Sequence, residues 1–170
     1  MPAPDSLGRI IVLNGTSSAG KTTLATALRP LLPGFSHYAS DQLADAGFRP
    51  LDPAQRAAGR EKFFDGFHRS IAAFAAAGND LLVEHIIEEQ SWADQLTALL
   101  APFDGFWVGV HAPLEVLEQR ERERGDRQAG EARFHLKTHD FCRYDLEVDT
   151  SLGIEEAAAQ IVSAWVGRPV

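Results

Sequence analysis

Apolar residues cluster along the chain at two periods. Ile10-Ile11-Val12-Leu13, Leu81-Leu82-Val83 and Phe106-Trp107-Val108-Gly109-Val110 are short, nearly unbroken apolar runs, the pattern of strands buried on both faces. Two shorter stretches, Phe35 to Ala39 and Asp145 to Thr150, read as further strands. Between them the apolar positions recur at helical spacing. Helices are predicted over Lys21–Arg29, Ala54–Ala77, Ser91–Leu100, Leu114–Arg124, Glu131–His139 and Gly153–Trp165. Phe63, Phe67, Ile71 and Phe74 mark the buried stripe of the longest one, and its Arg56, Arg60 and Arg69 are expected in solvent. Pro30, Pro33-Gly34 and Gly78-Asn79 punctuate the helix ends. Strands alternating with helices predict an α/β fold, a parallel sheet covered on both faces.

The chemistry concentrates directly after the first strand. Gly15-Thr16-Ser17-Ser18-Ala19-Gly20-Lys21-Thr22 has the form G-x-x-x-x-G-K-[ST] and lies between a strand and a helix, the context a phosphate-binding loop needs. Its backbone N–H groups turn inward on an anion, and the helix start adds a partial positive charge. Lys21 reaches the β- and γ-phosphates, and the Thr22 hydroxyl suits Mg²⁺. Thr23 completes the expected nucleotide contacts. The plain alternative is a Gly/Ser turn ahead of a helix.

Other candidates sit at strand ends. Asp41 follows the second strand in Ser40-Asp41-Gln42-Leu43, on the rim where open α/β sheets present ligands. It is equally a first-turn carboxylate with Ser40 as cap. Glu84 closes the third strand as the acid of a Walker B strand does, and so is expected to assist Thr22 with the metal. His85, Trp92 and Phe48 lie around the same rim and are expected, with Asp41 and Glu84, at an acceptor pocket. Arg120, Arg124 and Arg127 recur four and three apart, so they share a face if the helix extends that far. Glycines beyond them suggest a lid, at about residues 120–134, that clamps phosphates. A solvated face of Glu/Arg pairs is the alternative. His135 and His139 stand four apart with no accompanying acid or cysteine pattern, which argues against zinc.

Composition narrows the partners. At 170 residues with 45% hydrophobic positions, one domain with one sizeable core is expected. The net charge of −8 argues against a nucleic-acid partner. A lone Cys142 excludes an internal disulfide. The first residues lack the basic and apolar regions of a secretory leader, and no apolar run approaches membrane-spanning length. The expectation is a cytoplasmic chain of undetermined oligomeric state.

Leu13 to Thr22, Trp107-Val108-Gly109-Val110, Arg124-Gly125-Asp126-Arg127-Gln128-Ala129-Gly130 and Tyr144 to Thr150 together resemble the chloramphenicol phosphotransferase family, in the family's order and from both ends of the chain. The resemblance implies a P-loop kinase fold with five parallel strands in the order 2-3-1-4-5. It also implies ATP as donor, Mg²⁺, and transfer to the hydroxyl of a small molecule. Asp41 matches the family's base, and Arg120, Arg124 and Arg127 match its lid. The middle of the chain departs from the family: the segment after Asp41 is short, and Glu84-His85 stand in place of paired aspartates. Three readings follow. They are an antibiotic-modifying O-phosphotransferase, a metabolic kinase for a nucleoside, sugar or shikimate-like alcohol, and a nucleotide-binding switch that transfers nothing.

Overall fold

The computed structural model of the chain describes residues 6–125 and 129–168. β1 (Arg9–Asn14) is buried at every position after the first. Its successive side chains enter opposite cores, as the pleat requires: Ile11 and Leu13 join one, Ile10 and Val12 the other. β1 pairs in parallel with β3 (Leu81–His85) on one side and β4 (Asp104–His111) on the other. β2 (Ser36–Ala39) adds to β3, and β5 (Leu146–Asp149) to β4. The order β2-β3-β1-β4-β5 is the one the resemblance implied.

Register sets the site. Leu13 and Ala39 both lie opposite Glu84, so β1, β2 and β3 end at nearly one level. The loop after β1, the turn after β2 and the end of β3 therefore open onto the same edge of the sheet.

α1 (Lys21–Leu28), α6 (Leu114–Arg124) and α8 (Ile154–Val166) cover one face; α4 (Arg60–Ala76) and α5 (Gln90–Leu100) cover the other. Phe67 and Ile71 are fully enclosed under α4, each contributing about 1.5–3 kcal/mol of apolar burial. Between β2 and α4 run α2 (Ser40–Leu43), a wide turn over Ala44–Phe48, and α3 (Pro53–Ala58). α7 (Glu131–His135) tightens into a 3₁₀ turn over Leu136–Asp140.

Three helix expectations are corrected. The single helix expected from Ala54 to Ala77 is two, α3 and α4, meeting at Gly59, whose φ of −92° and ψ of 1° are not helical. Asp52 starts the first by accepting the Gln55 N–H at 2.8 Å, with Pro53 at the position that needs no donor. The buried stripe of α4 runs through Phe64, Phe67, His68, Ile71 and Ala75. Phe74 is half exposed, and Phe63 turns to the cleft described below, so the line facing the sheet lies one position over. Ser40 is not the cap of α2 but its first residue; the Gln42 side chain accepts the Ala39 N–H at 3.0 Å instead.

Candidate active site

The loop between β1 and α1 is shaped by close packing beneath it. A Cβ on Gly15 would collide with the Val110 carbonyl, so the loop leaves the sheet only where that side chain is missing. Gly20 takes a left-handed φ of 88°, which glycine adopts at little cost. Ser18 adopts φ 62° without that dispensation. Thr150 Oγ1 donates to the Ala19 carbonyl at 2.7 Å. Arg120 donates to Thr150 Oγ1 at 2.9 Å, to the Thr150 carbonyl at 3.2 Å and to the Ser18 carbonyl at 3.3 Å. Arg120 is thus a brace behind the loop. Thr16 Oγ1 ties the other side to the Ala132 carbonyl of α7 at 2.5 Å.

Lys21 is buried, and its Nζ donates to the Thr16 carbonyl at 2.8 Å. At the next residue Thr22 Oγ1 donates to Glu84 Oε1 at 2.7 Å, while His37 Nε2 lies 3.0 Å from Glu84 Oε2. Burial pushes the Glu84 carboxyl up. The hydrogen bonds from His37 and Thr22 and the charge of Lys21 outweigh it and hold the group below its ordinary value. An ionised carboxylate beside a hydroxyl at the exit of a phosphate loop is a hard-oxygen pair of the kind Mg²⁺ uses when phosphates supply further ligands. Among the described residues no cluster of three or more His, Cys, Asp or Glu could hold a metal by itself. That leaves Thr22 and Glu84 as the fitting pair.

These groups border a cavity of about 520 Å³ that runs from the phosphate loop to the turn after β2. Ser17, Ser18, Gly20, Lys21, Thr22 and Thr23 line its donor end. Asp41, Arg49, Arg56, Arg60, Phe63 and Phe64 line the far end. Arg124 faces the same space. It also reaches a second, adjoining cleft, where Arg120, Thr23 and Ile154 meet the loop. Gly15, Thr16 and Ala19 do not line either space and act by shaping the loop.

The cavity thus brings together Asp41, Lys21, Thr22, Glu84, His85 and Arg124 from four separate stretches of sequence. Two residues expected on its wall lie elsewhere. Phe48 is 69% exposed and does not line the cavity, because the wide turn ends there and the chain reaches the wall only with Arg49 and Pro50. Trp92 is buried behind Phe64, with ring centres 4.4 Å apart, and behind the Arg60 guanidinium at 4.8 Å. Arg60, expected in solvent, is held there by Glu88 at 2.8 Å. α6 ends at Arg124 with Gly125 left-handed, so the helical phase grouping Arg127 with Arg120 and Arg124 stops there; Arg127 itself lies outside the described residues. Glu121 is buried instead, accepting the N–H groups of Gly130 and Ala132 at 2.8 Å each, which seats α7 against α6.

Several contributors carry no local sequence signal. Asn14, fully buried at the end of β1, accepts the Ile87 N–H and the Thr138 hydroxyl at 3.0 Å each and donates to Tyr144 at 2.7 Å. His85 is buried with its Nε2 2.9 Å from that of His68, whose Nδ1 meets Gln95 Oε1 at 2.7 Å. Burial depresses both rings, His85 the more strongly. His37 could be found only from the strand pairing that places β2 beside β3.

Comparison with known proteins points one way. A family model described as chloramphenicol phosphotransferase-like protein matches residues 8–166. A protein of Mycobacterium tuberculosis, present in strains H37Rv and CDC 1551 and provisionally named an O-phosphotransferase, is 32% identical over 192 residues. That match covers 95% of this chain and 84% of the relative. Among solved structures, the Mycobacterium tuberculosis APS kinase in complex with AMPPNP and APS superimposes with a TM-score of 0.70 at 19% identity, covering 95% of this chain and 99% of that one. A Deinococcus radiodurans tunicamycin resistance protein gives 0.68 at 24%, covering 95% and 97%. A Sinorhizobium meliloti gluconokinase gives 0.62 at 17%, covering 94% and 91%. At these identities the likeness establishes a shared P-loop kinase fold. No helix among the described residues is long and apolar enough to cross a membrane.

Proposed function

The chain belongs to the chloramphenicol phosphotransferase-like family, and from that premise we propose that it is an ATP-dependent O-phosphotransferase acting on the hydroxyl of a small molecule. The observation that carries this reading is the shared cavity: a phosphate-binding loop with Lys21, Thr22 and Glu84 at one end and Asp41 at the other. A nucleotide switch needs the first half and has no use for the second.

In this mechanism the loop N–H groups and Lys21 hold the β- and γ-phosphates. Thr22 and Glu84 would hold Mg²⁺, which neutralises charge between those phosphates. Asp41 orients the acceptor hydroxyl and takes its proton late in transfer, when the oxygen becomes acidic. Arg124 stabilises charge on the group in flight, and Arg120 keeps the loop in shape from behind. Arg127 is proposed with Arg124 on the lid, whose closure excludes water and so suppresses hydrolysis. Positioning supplies most of the rate in a loose transition state. Modification of an antibiotic is the specific form of this activity suggested by the family. The metabolic-kinase reading shares every residue of the donor half and differs only in the acceptor.

Asp41→Asn tests the assignment, because it preserves shape and removes the proton acceptor. With an acceptor found by screening hydroxyl compounds, kcat is expected to fall by about 10²–10⁴, with ATP affinity and melting temperature near wild type. An unchanged kcat would make Asp41 a helix-start residue.

A further inference from the structure

The far end of the cavity holds more positive charge than phosphoryl transfer uses. Arg49 ends the turn after α2, Arg56 lies in α3 and Arg60 opens α4, and all three line the wall. They gather in one short segment of a chain whose net charge is −8. Arg60 is neutralised by Glu88 at 2.8 Å, a carboxylate that His135 also approaches at 3.7 Å. Arg49 and Arg56 are not: among the described residues no carboxylate lies within 4.0 Å of either. Arg49 instead lies on the Phe63 ring at 4.4 Å and near Phe64 at 5.6 Å. The Arg56 guanidinium donates to the Leu51 carbonyl at 3.3 Å.

Unpaired arginines on an outer surface are simply hydrated. These two line a cleft, where the field of a charge is focused rather than dispersed. Stacking on an aromatic ring fixes the guanidinium plane of Arg49 and leaves its N–H edge for an acceptor. That edge matches an oxyanion in a two-pronged hydrogen bond, stronger than a contact between neutral groups. Asp41 lines the same cavity, as do Glu84, Glu88 and Glu131, and each carboxylate would repel an anion brought close to it. A ligand that fits places a hydroxyl toward Asp41 and its negative group at the arginines.

We infer that the acceptor is an alcohol carrying a separate oxyanion, a carboxylate or a phosphate or sulfate ester, which Arg49 and Arg56 hold while the hydroxyl faces Asp41. The inference rests on the phosphotransferase reading for the hydroxyl, and on the arginines alone for the anion.

Binding separates the two. Sulfate and acetate are titrated by calorimetry onto protein saturated with Mg²⁺ and AMPPNP, so that the phosphate loop is filled. At least one anion is expected to bind saturably in the millimolar range, about tenfold more weakly to the Arg49→Gln/Arg56→Gln double variant. Arg56→Gln alone, on an exposed position, should weaken it in part, and Lys62→Gln, which does not line the cavity, should leave it unchanged. Tighter sulfate binding identifies a phosphate or sulfate ester, and tighter acetate binding a carboxylic acid. No saturable binding of either anion, or binding undiminished in the folded variants, overturns the inference whether or not the protein turns over. Protein that binds an anion at these arginines yet phosphorylates no alcohol contradicts the phosphotransferase reading and leaves the anion site standing. In turnover, the double variant should raise KM for an anionic acceptor by about 10–100-fold while KM for ATP stays near wild type.

Discussion

In the proposed reaction, Lys21 is the residue on which the donor half turns. Its stem is buried, and its ammonium rests on the Thr16 carbonyl inside the loop it serves. A point charge held so close to the phosphate position is worth most in a site shielded from water. Lys21→Ala should lower kcat by about 10²–10³, the loss typical when one oxyanion partner is removed, and steady-state kinetics at saturating ATP would measure it. A different residue reports on stability. His139 stacks on His111 with ring centres 3.9 Å apart and bonds to the Tyr144 hydroxyl at 2.8 Å. Burial first, then the neighbouring His111 and Lys21, lower its pKa to about 4. A histidine whose pKa falls on folding stabilises the fold in full above its unfolded value of about 6.5. That contribution is lost as the pH drops toward 4. After discounting for partial exposure, the loss between pH 7 and pH 5 is about 1 kcal/mol. That is roughly 2–4 °C in Tm at this chain length. His139→Asn should remove that part of the acid dependence in thermal melts at the two pH values.

At the scale of elements, α6 does two jobs on adjacent turns. Arg120 braces the phosphate loop from behind, and Arg124, one turn on, faces the cleft. Arg120→Ala should therefore raise KM for ATP about tenfold and lower Tm, since it releases three hydrogen bonds to the loop and to Thr150. Arg124→Ala should lower kcat more than it changes Tm, and Arg122→Ala, on the exposed side, should do neither. Equal and small effects at all three positions would return α6 to a solvated face. This division of labour shows what the sequence could express. The loop motif was legible because its chemistry is carried by backbone and by one Lys and one Thr at fixed spacing. Glu84 was legible because it ends a strand beside that motif. The break at Gly59 was not, since glycine inside a helical pattern marks weakness without deciding between a bend and a boundary. Arg49 and Arg60 were not, since their placement depends on Phe63, Phe64 and Trp92 packing from elements far apart in sequence. His37 and Asn14 depend on strand pairing and on a turn more than a hundred residues away.

Across the whole molecule, parallel strands ending at one level bring Lys21, Thr22, Asp41, Glu84 and His85 to one edge of the sheet. β1 gives the phosphate loop, β2 gives Asp41, β3 gives Glu84, and the arginines arrive from α6 and from the segment between β2 and α4. This is the crevice at the carboxyl ends of strands that open α/β sheets use for ligands. The central claim is that phosphate crosses this cavity from ATP to an alcohol and does not go to water. Turnover of ATP labelled with ¹⁸O in its γ-phosphate, in the presence of a panel of hydroxyl compounds and read by mass spectrometry, tests it most directly. The account predicts a labelled phosphate ester of at least one alcohol, with ADP released only when that alcohol is present. Labelled inorganic phosphate formed at the same rate with or without any alcohol, or tight nucleotide binding with no ADP at all, would contradict it.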